Sequence, residues 1–376
     1  MTDPVELTAA LVRCPSVTPE EGGAIALLER TLAPLGFACT RIGRGGVENL
    51  HARRGRGGPV FAFAGHTDVV PPGDRAAWRF DPFGAEIADG FLWGRGAVDM
   101  KSGVAAFVAA VAGFVGEKPD ASIVLLITGD EEGEATDGTV AILDWMRARG
   151  EVADFCLVGE PTSAARIGDV VKIGRRGSLN GTLAVHGRQG HAAYPERAAN
   201  PLPALARVCA ELAGTPLDEG SEHFQPSTLA LTSIDTGNPA GNVVPAAARA
   251  RFNIRFNDRH DSAGLKARVQ AIVERELHGT DLRAELAWSV SGESFLTRPD
   301  ARVEAVIGAI AEATGRRPQL TTGGGTSDAR FIKDLCPVIE FGLVGETMHA
   351  VDERVPVAQV RALAEVYLAV LRRFFG

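Results

Sequence analysis

The chain predicts an α/β protein with a mostly parallel central sheet, interrupted by a smaller α+β domain. Three observations predict it. Helix-like segments alternate with short, wholly apolar strand-like runs near both ends of the sequence. Those runs are bounded by glycine and lack polar alternation, the pattern of strands covered on both faces. The middle of the chain changes to alternating strands in the order βαββαβ, a split-βαβ arrangement.

In order, segments 5–13, 22–35, 102–115 and 138–149 read as helices. Among them stand the strand-like runs PVFAFAG (59–65), SIVLLIT (122–128) and ADFCLVG (153–159). The same pattern resumes with a helix over 300–314, PVIEFGL at 337–343 and a helix over 357–374. Between these parts, SLNGTLAVHG (178–187) alternates as a half-exposed strand, and 201–214 is helical. STLALTSID (227–235) and AAARARFNIRFN (246–257) are strands, 262–277 is a helix, and LRAELAWSV (282–290) is the last strand. The expected domains are therefore 1–176 with 291–376, and an insertion over 177–290. The insertion's second sheet face and its edge strands need cover, which points to a homodimer through it.

At 376 residues the chain is long enough for two cores. A net charge of −8 argues against a nucleic-acid or anionic-membrane partner, which would need clustered Lys and Arg. The longest apolar run, GVAAFVAAVAGFV (103–115), is too short to span a bilayer. The five cysteines are odd in number, scattered and without a CxxC pair, and so read as small buried hydrophobes in a reducing compartment. The first residues show no signal-peptide core, and a cytoplasmic protein is the expectation.

Ligands of α/β sheets bind beyond the carboxyl ends of the strands. There the sequence puts His66, Thr67 and Asp68 after the first run, Asp130, Glu131 and Glu132 after the second, and Glu160 after the third. Asp99 precedes a helix in WGRGAVDMKSG, and His349 lies in GETMHAVDE, after PVIEFGL. Singly, each is an ordinary loop acid or surface histidine. Five loops converging with such groups on one sheet edge point to a metal site. Nitrogen and oxygen ligands without thiolate favour zinc, with cobalt able to substitute. Five ligands exceed one open zinc site, whereas two metals sharing a carboxylate fit: His66, Asp99 and Glu160 on one, and His349, Asp99 and Glu132 on the other. Two cations would offset the repulsion among the acids of the DEE stretch, and a water between them would ionise near neutral pH. Asp130 reads as loop support, and Glu134 as a loop acid without assignment.

GHTDVVPPGD, WGRGAVDMKSG, TGDEEGEATDGT, LVGEPT, VKIGRRGSL, GHAAYPERAANP, GNVVP, GGTSDARF and MHAVDE together resemble the M20 metallohydrolases, in order and over almost the whole chain. The resemblance implies a homodimeric amide hydrolase with two zinc ions per subunit, an inserted dimerisation domain and a cis Asp99–Met100 peptide. It implies Glu131 as general base and acid, and Asp68 as the carboxylate orienting the His66 imidazole. It implies that His191 reaches the other subunit's site to stabilise an oxyanion. The implied substrate is a small anionic N-acyl amino acid, held by Arg176, Arg255, Tyr194, Asn242, Gly325 and Thr326.

The residue types support part of this independently. Adjacent side chains on extended backbone diverge, so Glu132 can reach a metal while Glu131 faces substrate. Arg255 lies in an alternating apolar strand, where an unpaired charge is costly. TTGGGTSDA precedes a helix, so its N–H groups suit a carboxylate; no Lys follows to make a phosphate loop. Hydrolases of other N-acyl amino acids would share every metal ligand. A non-catalytic metal-binding regulator on the same scaffold would have no need of Glu131.

Overall fold

The apolar runs form strands. The structure, a computed structural model, describes residues 2–376. Its first compact unit takes the chain up to Gly174 with Thr297–Thr321 and Ser327–Gly376; the second is Arg175–Leu296 with Thr322–Thr326.

The first unit begins with α1 (Pro4–Val12), capped by Asp3, whose carboxylate accepts the Val5 N–H at 2.7 Å. After α2 (Ala24–Leu32) come β1 (Ala38–Arg44), β2 (Val47–Arg54) and β3 (Val60–His66). α3 (Lys101–Phe114), β4 (Ser122–Thr128), α4 (Thr139–Arg147), β5 (Phe155–Val158) and β6 (Val170–Lys172) follow. The second unit supplies β7 (Gly177–His186), α5 (Leu202–Gly214), β8 (Thr228–Asp235), β9 (Ala247–Phe256), α6 (Ser262–Leu277) and β10 (Arg283–Gly292). The chain then adds α7 (Ala301–Thr314), β11 (Gln319–Thr321), α8 (Ala329–Ile332), β12 (Val338–Glu340) and α9 (Val357–Phe375) to the first unit.

The first unit's main sheet runs β1-β2-β4-β3-β5-β12-β6-β11. Its centre, β4-β3-β5-β12, is parallel. Every side chain of β3 and β4 is buried, which is why these runs show no alternation. Phe63 of β3 stacks on Phe107 of α3 at 4.1 Å, and the buried Tyr367 hydroxyl of α9 donates to the Phe341 carbonyl at 2.8 Å. α3 approaches the end of β5 closely: a Cβ on Gly103 would stand 2.6 Å from the Gly159 carbonyl oxygen. That approach sets the residue after Gly159, Glu160, beside the start of α3.

The antiparallel hairpin β1-β2 has no counterpart among the sequence expectations. Its four arginines mask it, yet Gly45-Gly46 was a usable signal. Both glycines take positive φ, +60° and +88°, as a two-residue hairpin turn requires.

In the second unit, β8-β9-β7-β10 form one antiparallel sheet, the strand order that βαββαβ connectivity produces. Alternate residues of β9, among them Phe252, Ile254 and Phe256, face a core shared with Leu205 and Val208 of α5 and Val269 of α6. The glycine-rich 322–326 segment belongs to this unit because Arg175 Nη1 donates to the Gly325 carbonyl at 3.1 Å and the Thr322 hydroxyl to the His223 carbonyl at 2.6 Å. All five cysteines are unpaired, and among the described residues no helix is long and apolar enough to cross a membrane.

Candidate metal centre

The site is built on strand ends. His66 closes β3, and the Thr67 N–H donates to the Thr128 carbonyl at 3.0 Å, so β3 and β4 stay in register as they finish. Asp68 therefore stands against the turn that follows β4. Its carboxylate accepts the N–H groups of Glu131 at 3.2 Å and Glu132 at 3.0 Å. With those oxygens engaged, the Asp68 carboxylate lies 3.6 Å from His66 Nδ1, and the Asp68 carbonyl oxygen meets that nitrogen at 2.9 Å. The imidazole is thus oriented by the backbone of Asp68 more than by its carboxylate. A proton on Nδ1 leaves Nε2 as the ligand atom.

Two triads form. His66, Asp99 and Glu160 offer one set of ligand atoms, and Asp99, Glu132 and His349 another, each set lying within 4.8 Å of one another. His66 Nε2 is 3.1 Å from Asp99 Oδ1 and 3.9 Å from Glu160 Oε1. His349 Nε2 is 3.4 Å from Asp99 Oδ2 and 2.8 Å from Glu132 Oε1. Asp99 thus turns one oxygen to each triad. Ligand atoms around a tetrahedral zinc stand about 3.3 Å apart, given bonds of about 2.0–2.1 Å. Separations and donor types fit such a cation at each triad. The Asp99–Met100 peptide is cis.

Electrostatics favours the same occupant. Asp68, Asp99, Glu131, Glu132 and Glu160 outnumber the two histidines, so the cluster stays negative even with both imidazoles protonated. Hydrogen bonds to Asp99 and Glu132 push His349 up to about 10. Burial opposes charge on His66, but the Asp99 hydrogen bond and the Glu160 and Asp68 carboxylates hold its pKa well above the usual imidazole range. Burial also works against Asp99 as a carboxylate; hydrogen bonds with His349 and His66 outweigh it and keep its pKa low. Burial, then the Glu160 charge, pushes Glu131 well above the usual carboxylate range. Burial raises Asp68 to about 6. The protons on the histidines stand where divalent cations would serve the same charge balance.

The turn carrying Glu131 and Glu132 is anchored from the hairpin. The fully buried Asn49 accepts from the Gly129 N–H and the Thr128 hydroxyl, both at 3.1 Å, and donates to the Ile42 carbonyl at 3.0 Å and the Asp137 carbonyl at 2.9 Å. Arg44 pairs with Asp137 at 3.0 Å and Asp144 at 2.9 Å. Asp130 supports the same loop by accepting the Asp137 N–H at 3.0 Å. Sequence reasoning missed Asn49 and Arg44; the Gly45-Gly46 turn was the available pointer.

The remaining expected residues lie in the second unit. Arg255 pairs in register with Ser178 of β7, and both burial and the nearby Arg176 charge lower its pKa. Arg176 keeps a buried Nε without a partner. His191 lies in a short ladder with Val243, and the Ala192 N–H donates to the Asn242 carbonyl at 2.9 Å. Tyr194 stands 5.7 Å from the His191 ring. His191, Tyr194 and Asn242 therefore form one exposed loop cluster. Gly325 and Thr326 are in the glycine-rich segment, the Gly325 carbonyl already holding Arg175. Of the other histidines, His51 meets Glu151 and His260 meets Asp218, as structural residues would.

Two His/carboxylate triads sharing one aspartate, on an α/β sheet interrupted by an α+β insertion, define a two-metal hydrolase scaffold. The chain belongs to the peptidase family M20/M25/M40, whose family model matches residues 62–373. It is similar to the succinyl-diaminopimelate desuccinylase of Cereibacter sphaeroides, 60% identical over 377 residues and covering 100% of this chain and 99% of that one. The succinyl-diaminopimelate desuccinylase of Caulobacter vibrioides is 57% identical, covering 100% of this chain and 96% of its own. Among solved structures, aminopeptidase PepT from Bacillus cereus shares the fold at TM-score 0.81 and 22% identity, covering 100% of this chain and 98% of that one. YXEP from Bacillus subtilis, described as a dinuclear metal binding peptidase of the M20 family, shares it at 0.74 and 14%, covering 98% and 97%.

Proposed function

We propose that this chain is a metal-dependent amide hydrolase that converts N-succinyl-LL-2,6-diaminopimelate to succinate and LL-2,6-diaminopimelate, a step toward lysine and cell-wall precursors. The chemistry rests on one observation above all: Asp99 turns one carboxylate oxygen to each of two His/carboxylate triads. The choice of substrate rests on full-length similarity, at 56–60% identity, to desuccinylases.

In this reading His66, Asp99 and Glu160 hold one zinc, and Asp99, Glu132 and His349 hold a second, with cobalt able to replace one. Bound there, such ions supply a Lewis acid for the amide carbonyl and lower the pKa of the attacking water. Glu131 takes the proton of that water as its oxygen bonds to the carbonyl carbon, and returns it to the amide nitrogen as the C–N bond breaks. A raised proton affinity, from burial and Glu160, suits a group that must both accept and donate. Asp68 fixes the Glu131–Glu132 backbone and the His66 ring. Arg176 and Arg255, two guanidiniums close enough to repel, hold substrate carboxylates. Tyr194, Asn242, Gly325 and Thr326 complete the substrate contacts. His191 comes from a second copy of the chain and stabilises the oxyanion. Exposed Ile234 and Val290, on the second unit's edge strands, support a homodimer through that unit. Five unpaired cysteines support a cytoplasmic location.

The test compares release of succinate from N-succinyl-LL-2,6-diaminopimelate with release of acetate from N-acetylornithine by the zinc-loaded protein. A strong preference for the succinyl compound is expected. Equal or reversed preference overturns the substrate, and inertness toward both with two metals bound favours the regulator reading.

A further inference from the structure

Arg95 and Glu353 form a buried ion pair whose role none of the chemistry above uses. Arg95 stands four residues before Asp99, and Glu353 four residues after His349. Their side chains are 3% and 1% exposed and meet at 2.7 Å. Glu353 Oε1 accepts the N–H groups of Val98 at 2.8 Å and Asp99 at 3.2 Å. Its Oε2 accepts the Gly96 N–H at 3.1 Å together with Arg95 Nη1. Arg95 also donates to the carbonyls of Ala350 at 3.2 Å and His349 at 3.4 Å, and lies over the Trp78 ring at 5.1 Å. One ion pair therefore grips the backbones of two segments about 250 residues apart, and each segment carries a ligand atom of the same triad.

We propose that Arg95 and Glu353 are positioning residues that set the separation of Asp99 and His349, and with it the fit of the metal site those two share with Glu132. The inference rests on the metal reading given above. Four donors converge on one point, and only a carboxylate offers two oxygens with enough acceptor capacity to meet them. His349 adopts φ +61°, a conformation a non-glycine residue keeps only where its surroundings hold it. The Arg95 bond to its carbonyl is one such hold. The other triad shares only Asp99 with this device. His66 is fixed at the end of β3 and by the Asp68 carbonyl. Loss of Arg95 should therefore fall on one site, and loss of the Glu353 carboxylate on both.

The test titrates metal-free protein with Zn²⁺ by calorimetry and with Co²⁺ by visible absorption, alongside far-ultraviolet circular dichroism. The parent should bind two ions. Arg95→Met should weaken one site by about 10- to 100-fold and alter its cobalt spectrum, while the other stays within about threefold. Arg95→Lys should recover part of the loss. Glu353→Gln should weaken both sites. The double variant R95M/E353Q, which leaves no buried charge without its partner, should weaken both and decides the matter if a single variant does not fold. Folded variants that bind both ions with parental affinity and parental cobalt spectrum overturn the inference. A parent that binds no ions overturns the metal reading instead.

Discussion

The two units differ in how they hold most of their functional side chains, with His349 the exposed exception in the first. In the first, His66, Asp68 and Asp99 are buried, and the ligand-bearing loops are tied down by Asp68, Asn49 and Glu353. In the second, His191, Tyr194 and Asn242 stand exposed on loops, Tyr194 half open to solvent. Preorganised charge is worth most where water is excluded, and groups that must admit a substrate stay accessible. The contrast supports the proposed division, in which the first unit carries the metals and the proton shuttle and the second supplies the oxyanion-stabilising His191 and the substrate contacts.

The largest expected effect tests the first half of that assignment. Glu131→Gln should lower kcat by about 10²–10⁴-fold while leaving two bound metals and an unchanged melting temperature. Metal content by elemental analysis, with turnover of N-succinyl-LL-2,6-diaminopimelate, checks it. A variant keeping a tenth of parental kcat breaks the assignment.

The second half is tested at His191. His191→Ala should lower kcat by about 10²–10³-fold without loss of stability, because the side chain is exposed. Mixing it with Glu131→Gln sharpens the comparison. If His191 acts across a dimer, subunit exchange regenerates one intact site per mixed dimer, and activity should recover to about a quarter of parental. No recovery after verified exchange places His191 in its own subunit or outside the reaction.

A smaller effect reports on how the first unit is held. Asn49→Ala would leave the Gly129 N–H and the Ile42 and Asp137 carbonyls without their partner. It should cost about 3 kcal/mol in denaturant unfolding, and kcat should fall because the Glu131 turn loosens. Unchanged kcat would mean that the turn keeps its geometry without Asn49.

These anchors also show where sequence reading stops. His66, Asp130 to Glu132 and Glu160 were legible because each follows a continuous apolar strand, a pattern that locates the strand end by itself. The βαββαβ insertion was legible from alternation. Asn49 and Glu353 were not, since their partners lie up to 88 and 258 residues away and nothing local marks them. The hairpin β1-β2 hid behind charged side chains, with only Gly45-Gly46 to betray it. The split role of Asp68, carbonyl to His66 and carboxylate to the next loop, depends on a backbone turn that residue types do not encode.

The two units should respond differently to acid, and Asp218 contributes an acid-sensitive support to the second. Its side chain is 5% exposed and accepts from the Gly220 N–H and the Asn257 amide, both at 2.6 Å, from the Ser227 N–H at 3.2 Å, and from His260 Nε2 at 3.0 Å. Burial would raise its pKa, but the Ser227 hydroxyl, the Gly220 N–H and the Asn257 amide outweigh it and bring it to about 2, below the ordinary 3.8. A folded pKa below the unfolded one gives stability that is present above pH 4 and lost as pH falls through about 2. With solvent screening the amount is about 1 kcal/mol. Asp218→Asn should lose it at pH 7 and show a flatter acid profile between pH 4 and 2. Hydrogen exchange over residues 218–260 reads this in the full chain. In the first unit acid should act differently, because protons on His66 and His349 would compete with the proposed metals at the same nitrogens. Metal release should therefore precede any loosening of the insertion as pH falls. If Asp218→Asn leaves the acid profile unchanged, the carboxylate is not the acid-sensitive support of the second unit, and the expected difference in acid response between the units fails.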